Sequence, residues 1–226
     1  MRVELIAHTA DADRICAAAA QSCYSERPSR EILDGLDPER ASRTLGRVVG
    51  MGHHSVLEHA TFTYSVEGVS RSLTHQLVRH RIASLSQQSQ RYVRMDDADC
   101  IVPPSVDADE AASERFNELM GTIWDVYAEL CETVPKEDAR YVLPNACSTN
   151  ITITMNAREL LHFFSLRCCN RAQWEIRAMA DEMLRLAKRV APTVFEDAGP
   201  GCVRGKCPEG SMSCGSSRRD ELKRFI

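Results

Sequence analysis

The 226-residue sequence contains no apolar run near the roughly 20 residues that a membrane-spanning helix needs. Its start, Met1-Arg-Val-Glu-Leu-Ile, carries Glu4 inside a short apolar run and lacks the long apolar core of a signal peptide. A cytoplasmic protein is therefore expected, with its ten cysteines mostly reduced. That excludes a secreted disulfide scaffold and leaves three fates for cysteine: core filler, metal ligand or nucleophile. Residues 1–195 hold no internal repeat, heptad array or low-complexity block. Lysine is scarce, with four against 24 arginines in a chain of net charge −4. A GC-rich genome produces that bias without any function. Arginine also gives planar, bidentate recognition of phosphate and carboxylate that lysine cannot copy, so position must decide.

What is present reads as α+β: a mixed or antiparallel sheet packed with long helices, because strand signals alternate irregularly with helical ones. Strands are expected at Val3–Ile6, Thr61–Val66 and Asn150–Met155, from alternation and β-branched residues. Helices are expected over Ala12–Ala20, capped by Thr9 or Asp11, and from Asp37-Pro38-Glu39 to Gly50. Another is expected over Ser70–His80. Phe116 to Val134 repeats apolar residues at helical spacing and reads as a core stripe ended by Pro135. Asn156 with Glu159 three residues later resembles a capping box, and a last long helix runs from Ile176 to Val190. Beyond about residue 198 the period vanishes. Residues 1–198 are taken as one catalytic domain and 199–226 as a Cys/Gly-rich appendage.

Residues 71–94 hold five arginines, two histidines and no acid, interleaved with Ser and Gln. The stretch is either a basic surface helix or a site that an anion completes. Gly52-His53-His54-Ser55-Val-Leu-Glu58-His59 gathers three histidines and a carboxylate, but the spacing is not H-E-x-x-H. Asn156 and Arg158 open a helix after a strand, a natural phosphate edge. Cys168 and Cys169 show no activating neighbour, so a structural role is preferred for both. Cys202, Cys207 and Cys214 form a candidate metal knuckle, zinc by type, with Cys147, Cys168 or Cys169 as a fourth ligand. Free thiols or a disulfide are the alternatives. Two rival functions follow: a nucleic-acid-binding module using 71–94, and a metal-dependent hydrolase using the His53–His59 cluster. Tyr92 is the only aromatic residue in 71–94, and the acidic net charge opposes backbone binding, so no nucleic-acid partner is expected.

Arg79-His80-Arg81, seven residues, then Ser89 resembles the R-H-R-x7-S signature of the flavin-dependent thymidylate synthases (ThyX). The 52–59 loop, Arg140-Tyr-Val-Leu-Pro144, Asn156-Ala-Arg158, and Leu166-Arg167 with Ala172-Gln-Trp-Glu-Ile176 resemble further blocks in the same order, over roughly residues 1–198. The resemblance implies a ThyX-type fold. It implies reductive methylation of dUMP to dTMP with FAD, methylenetetrahydrofolate as carbon donor and NADPH as reductant, and no cysteine nucleophile. It also implies a homotetramer with shared active sites. By the same resemblance Arg79, His80, Arg81, Asn156, Arg158 and His162 hold FAD, with Ser55, Glu58 and His53 reaching it from a neighbouring subunit. Gln76, Ser89, Gln90, Arg91, Arg140 and Arg167 bind the nucleotide, joined by Arg79. Gln87 faces both ligands, and Arg167 is the catalytic residue. Gln87 and His162 depart from residues that some members carry, Glu and Asn. No G-x-G-x-x-G occurs, so the flavin must be held by another architecture.

Overall fold

The computed structural model describes residues 1–95 and 99–225. In chain order the elements are β1 (Arg2–His8), α1 (Ala12–Ser22), α2 (Ser29–Asp34), α3 (Pro38–Gly50), β2 (Thr61–Ser70), α4 (Arg71–Leu77) and β3 (Ser84–Gln87). Then follow α5 (Pro104–Asp107), α6 (Glu110–Thr133), α7 (Lys136–Ala139), β4 (Ser148–Asn156), α8 (Ala157–Arg167), α9 (Trp174–Val190) and α10 (Arg219–Lys223). The strands form an antiparallel sheet in the order β1-β2-β4-β3, so the α+β expectation holds. Among the described residues no helix is long and apolar enough to cross a membrane.

The chain condenses into two compact units. The first comprises Met1–Arg2, Val66–Arg79 and Leu85–Thr152; the second comprises Val3–Ser65, His80–Ser84 and Ile153–Ile226. In the first, Tyr127 of α6 packs with Met95, Ala139 and Cys147, flanked by Trp124 and Leu130. The Tyr127 hydroxyl accepts the Met95 amide at 3.2 Å, which satisfies a polar tip in an apolar setting. The α6 stripe is otherwise not core. Of the expected positions only Tyr127 is buried within the chain, and Leu119 is half exposed. The helical period is real, but most of its apolar face is only partly covered within the chain.

In the second unit the core is aromatic. Phe62 of β2, Phe164 of α8 and Phe195 meet edge to face, with centroids 5.3 and 5.8 Å apart. Thr63 and Thr154 pair across β2 and β4 at 2.9 Å. Asp37 caps α3 by accepting the Arg40 amide, as its sequence predicts. Asp11 sits at the start of α1 but does not cap it: its backbone is left-handed (φ 50°) and its carboxylate takes Arg14. Asp13 instead accepts the Thr193 and Val194 amides beyond α9, tying two distant segments. The segment after residue 198 is anchored in this unit by Arg218, which is buried against the Asp181 carboxylate and the Cys168 carbonyl. Lys188 also donates to the Leu222 carbonyl at 2.9 Å.

Candidate active site

The polar centre of the second unit is built on α8. Asn156 caps the helix by accepting the Glu159 amide at 2.9 Å. The reciprocal half of the expected capping box does not form, because the Glu159 carboxylate turns inward to His80. Both side chains are buried, at 4% exposure for His80 and 6% for Glu159. His80 Nδ1 lies 3.2 Å from Glu159 Oε1, and Arg167 Nε lies 3.1 Å from His80 Nε2.

This arrangement fixes the protonation of the ring. A guanidinium can only donate, so Nε2 must accept; the imidazole is therefore neutral, with its proton on Nδ1 donated to Glu159. Burial pushes the His80 pKa below its ordinary value and the Arg167 charge adds to that, while the hydrogen bond to Glu159 opposes it. Burial also lowers the Arg167 pKa, but a guanidinium starts so high that it stays charged. Phe163 closes one side of the imidazole edge-on, 4.9 Å between centroids, and His162 another at 5.9 Å. Seven residues of α8 separate Glu159 from Arg167 and Glu159 has no site signal in the sequence beyond its capping position.

Beside this chain of contacts lies a cavity of about 930 Å³, lined among others by Glu58, Ile82, Asn156, Arg158, Glu159 and His162. Arg158 and Glu58 pair across it at 2.5 Å, both about half exposed. Four residues expected at a flavin thus share one hollow. Arg81 is exposed and does not line it, and His53 and Ser55 line a different hollow.

The first unit gathers most of the residues expected at the nucleotide. Gln87 on β3 donates to Thr74 at 3.2 Å and Thr149 at 3.4 Å, which holds its amide in one orientation. Gln90 donates to the Cys147 thiol at 3.6 Å, and the Ser89 hydroxyl accepts the Arg91 amide. Arg91 pairs with the Glu137 carboxylate at 2.9 Å, while Arg140 donates to the Glu137 carbonyl at 3.1 Å. Gln76 and Arg79 lie on α4 and just past its end, Arg79 exposed. Residues 71–94 carry no acid of their own, but the fold supplies them: Glu137 for Arg91 and Glu132 for Arg94. Glu137, Thr74 and Thr149 escaped sequence reasoning because only folding brings them near.

Among the described residues no three His, Cys, Asp or Glu side chains are grouped to hold a metal ion. Cys202, Cys207 and Cys214 line one hollow of about 220 Å³ with Cys169 but do not converge as ligands. Cys214 is instead hydrogen-bonded to the Ser216 carbonyl, and Arg171 fastens the loop to Glu209 and the Met212 carbonyl. His53 and His54 line separate cavities, so the 52–59 loop does not assemble a metal centre either. Cys168 is fully buried, and burial together with Asp181 pushes its thiol well above the ordinary range.

The family model described as "Thymidylate synthase complementing protein" matches residues 4–193. The chain is 54% identical to the flavin-dependent thymidylate synthase of Geobacter sulfurreducens, covering all of this chain and 98% of that one. It is 47% identical to that of Clostridium tetani (100% and 96% covered) and 43% identical to that of Pyrococcus furiosus (94% and 91%). The chain belongs to the flavin-dependent thymidylate synthase family. In this chain the middle residue of Arg79-His80-Arg81 is the one that both Glu159 and Arg167 contact.

Proposed function

We propose that the chain makes thymidylate by reductive methylation of deoxyuridylate, with FAD, methylenetetrahydrofolate as carbon donor and NADPH as reductant. The observation that carries this reading is Arg167, a cation on the last turn of α8 whose Nε is fixed to a buried neutral histidine. A guanidinium held against the uracil edge stabilises the negative charge that develops as the ring is activated. It acts as an electrostatic partner and cannot be the base. No thiol is needed for that step, and the raised pKa of Cys168 speaks against one there.

The residues around the larger cavity suit a flavin dinucleotide. The volume falls within the range of ligand pockets, and Arg158 at the start of α8 supplies a cation there, a fit for phosphate. When bound, the flavin carries two electrons from NADPH toward the transferred carbon. His162 and Asn156 supply polar contacts at its edge, and His80 acts through Arg167. In the first unit Arg91 and Arg140 supply cations for the nucleotide phosphate, and Gln87, Ser89 and Gln90 supply hydrogen bonds to sugar and base. The partly covered stripe of α6, with Leu119 half exposed, supports assembly into a homotetramer, since a stripe of this spacing is normally covered.

The test is an anaerobic assay of the purified protein with deoxyuridylate, methylenetetrahydrofolate and NADPH. The protein should be yellow, its flavin absorbance should bleach on adding NADPH, and thymidylate should accumulate. A colourless protein that FAD does not reconstitute overturns the reading.

A further inference from the structure

A second cavity of about 860 Å³ in the second unit is lined by Arg27, Arg40, Arg43 and Arg47, with Tyr24 and His53. Among the described residues no carboxylate lines it. Arg43 pairs with Glu39 at 3.5 Å in an open, solvent-screened contact. Arg27, Arg40 and Arg47 make no side-chain hydrogen bond or ion pair among the described residues. Three of the four sit on α3 at i, i+3 and i+7, one face of the helix. Like charges at that spacing repel, and Arg40 in the first turn also opposes the helix dipole. The sequence thus places unrelieved positive charge where helix stability disfavours it, and Tyr24 stands 89% exposed beside it.

We propose that this groove binds the charged tail of an anionic co-substrate, several carboxylates or phosphates joined in series. A single phosphate engages one or two guanidinium groups. Arg40 to Arg47 spans about 10 Å along the helix axis, which suits a chain of charges. The inference rests on the proposed reaction, whose carbon donor carries glutamyl carboxylates and whose reductant carries phosphates. His53 and Ser55 at the same hollow are the residues that the family resemblance gives to the flavin, so a tail lodged here belongs to a molecule whose reactive end is nearby.

The experiment is calorimetric binding to the full-length flavin-loaded protein, compared with the Arg40→Ala/Arg47→Ala double variant. The probes are inorganic tripolyphosphate and the mono- and triglutamyl forms of tetrahydrofolate. The expected result is that a serial anion binds and that the double variant weakens it by about tenfold or more, with flavin content unchanged. Triglutamyl binding tighter than monoglutamyl assigns the groove to a carboxylate tail; tripolyphosphate binding with equal folate affinities assigns it to phosphates. Equal binding by both proteins, no binding of either serial anion, or loss of flavin from the double variant overturns the proposal. Because the readout is binding, the groove stands if anions bind as expected while thymidylate is not made, and falls alone in the converse case.

Discussion

Arg167 Nε donates to His80 Nε2 at 3.1 Å, and the same imidazole donates from Nδ1 to Glu159. The cation is thereby aimed by a neutral ring that is itself held by a buried carboxylate. Glu159→Ala should leave the His80 N–H unpaired in an apolar setting and loosen Arg167. A buried unpaired donor costs about 1–3 kcal/mol, so kcat should fall roughly 10- to 100-fold with a smaller change in KM. Glu159→Gln keeps an acceptor and should restore most of the rate. Arg167→Ala should cost rate more than flavin retention. Steady-state kinetics with flavin content measured on each variant check this; a Glu159→Ala defect fully explained by lost flavin would count against it.

The same geometry sets a pH dependence. Protonating His80 puts a proton on Nε2, which can then no longer accept from Arg167. Burial holds the His80 pKa below the ordinary histidine value, so the neutral ring persists at neutral pH and turnover should fall only as pH drops below that value. The sign is the same for stability: with the folded pKa below the unfolded one, the contribution is present above the unfolded pKa and lost as pH falls through the folded one. Glu159 pulls the His80 pKa upward, so Glu159→Gln should move the acid limb of the kcat profile to lower pH. A limb that stays in place would show that another group titrates.

In the first unit, the Arg91–Glu137 pair is about half exposed on both sides, 52% and 48%, so solvent screens it. It competes with any anion that Arg91 binds. Glu137→Gln should therefore raise the affinity for deoxyuridylate by about two- to fivefold, whereas Arg91→Ala should lower it. Equilibrium titration with the nucleotide checks both signs. An unchanged constant in Glu137→Gln would remove Arg91 from the nucleotide contacts.

Much of the fold was legible because local rules and tertiary context agree. Asp37-Pro38 opens α3, Asn156 caps α8, and the alternation of 150–155 is a strand. Reading failed where the partner is distant in sequence. Asp13 is spent on Thr193 and Val194, 180 residues away, and Glu159 on His80 rather than on its own helix. The α6 stripe carries a clear period, yet periodicity reports which face is apolar and not what covers it. The cysteine spacing of the tail suggested a metal, but spacing says nothing of whether thiols converge.

The cysteines divide sharply by environment. Burial pushes the Cys16 thiol to about 12 and Cys100 to about 11, and burial with Asp181 holds Cys168 well above the ordinary thiol range. At neutral pH the exposed Cys23 and Cys214 should be alkylated by iodoacetamide well before these three. Replacing Cys168 and Cys169 together with serine should leave turnover largely intact, since serine at 168 still offers Asp181 a hydroxyl. Peptide mapping of the label and the thymidylate assay on the double variant test the two halves separately. Loss of turnover with flavin retained would reinstate a cysteine in the chemistry.

Arg218 tests how far the last segment contributes to the second unit. The residue is 4% exposed, and its guanidinium donates to both Asp181 oxygens at 2.9 and 3.0 Å, to the Cys168 carbonyl and to Glu221. Arg218→Ala removes one partner from a largely buried pair and leaves the Asp181 carboxylate without its cation. Broken buried pairs cost about 3–5 kcal/mol, and a protein of this size loses about 2–4 °C per kcal/mol, so the melting temperature should fall by roughly 6 °C or more. Asp181→Asn in the same background removes the stranded charge and should recover part of the loss, because the penalty lies in the uncompensated carboxylate. Thermal unfolding of wild type, Arg218→Ala and the double variant measures the coupling. Additive losses would show that Arg218 stabilises the unit through its carbonyl and Glu221 contacts alone.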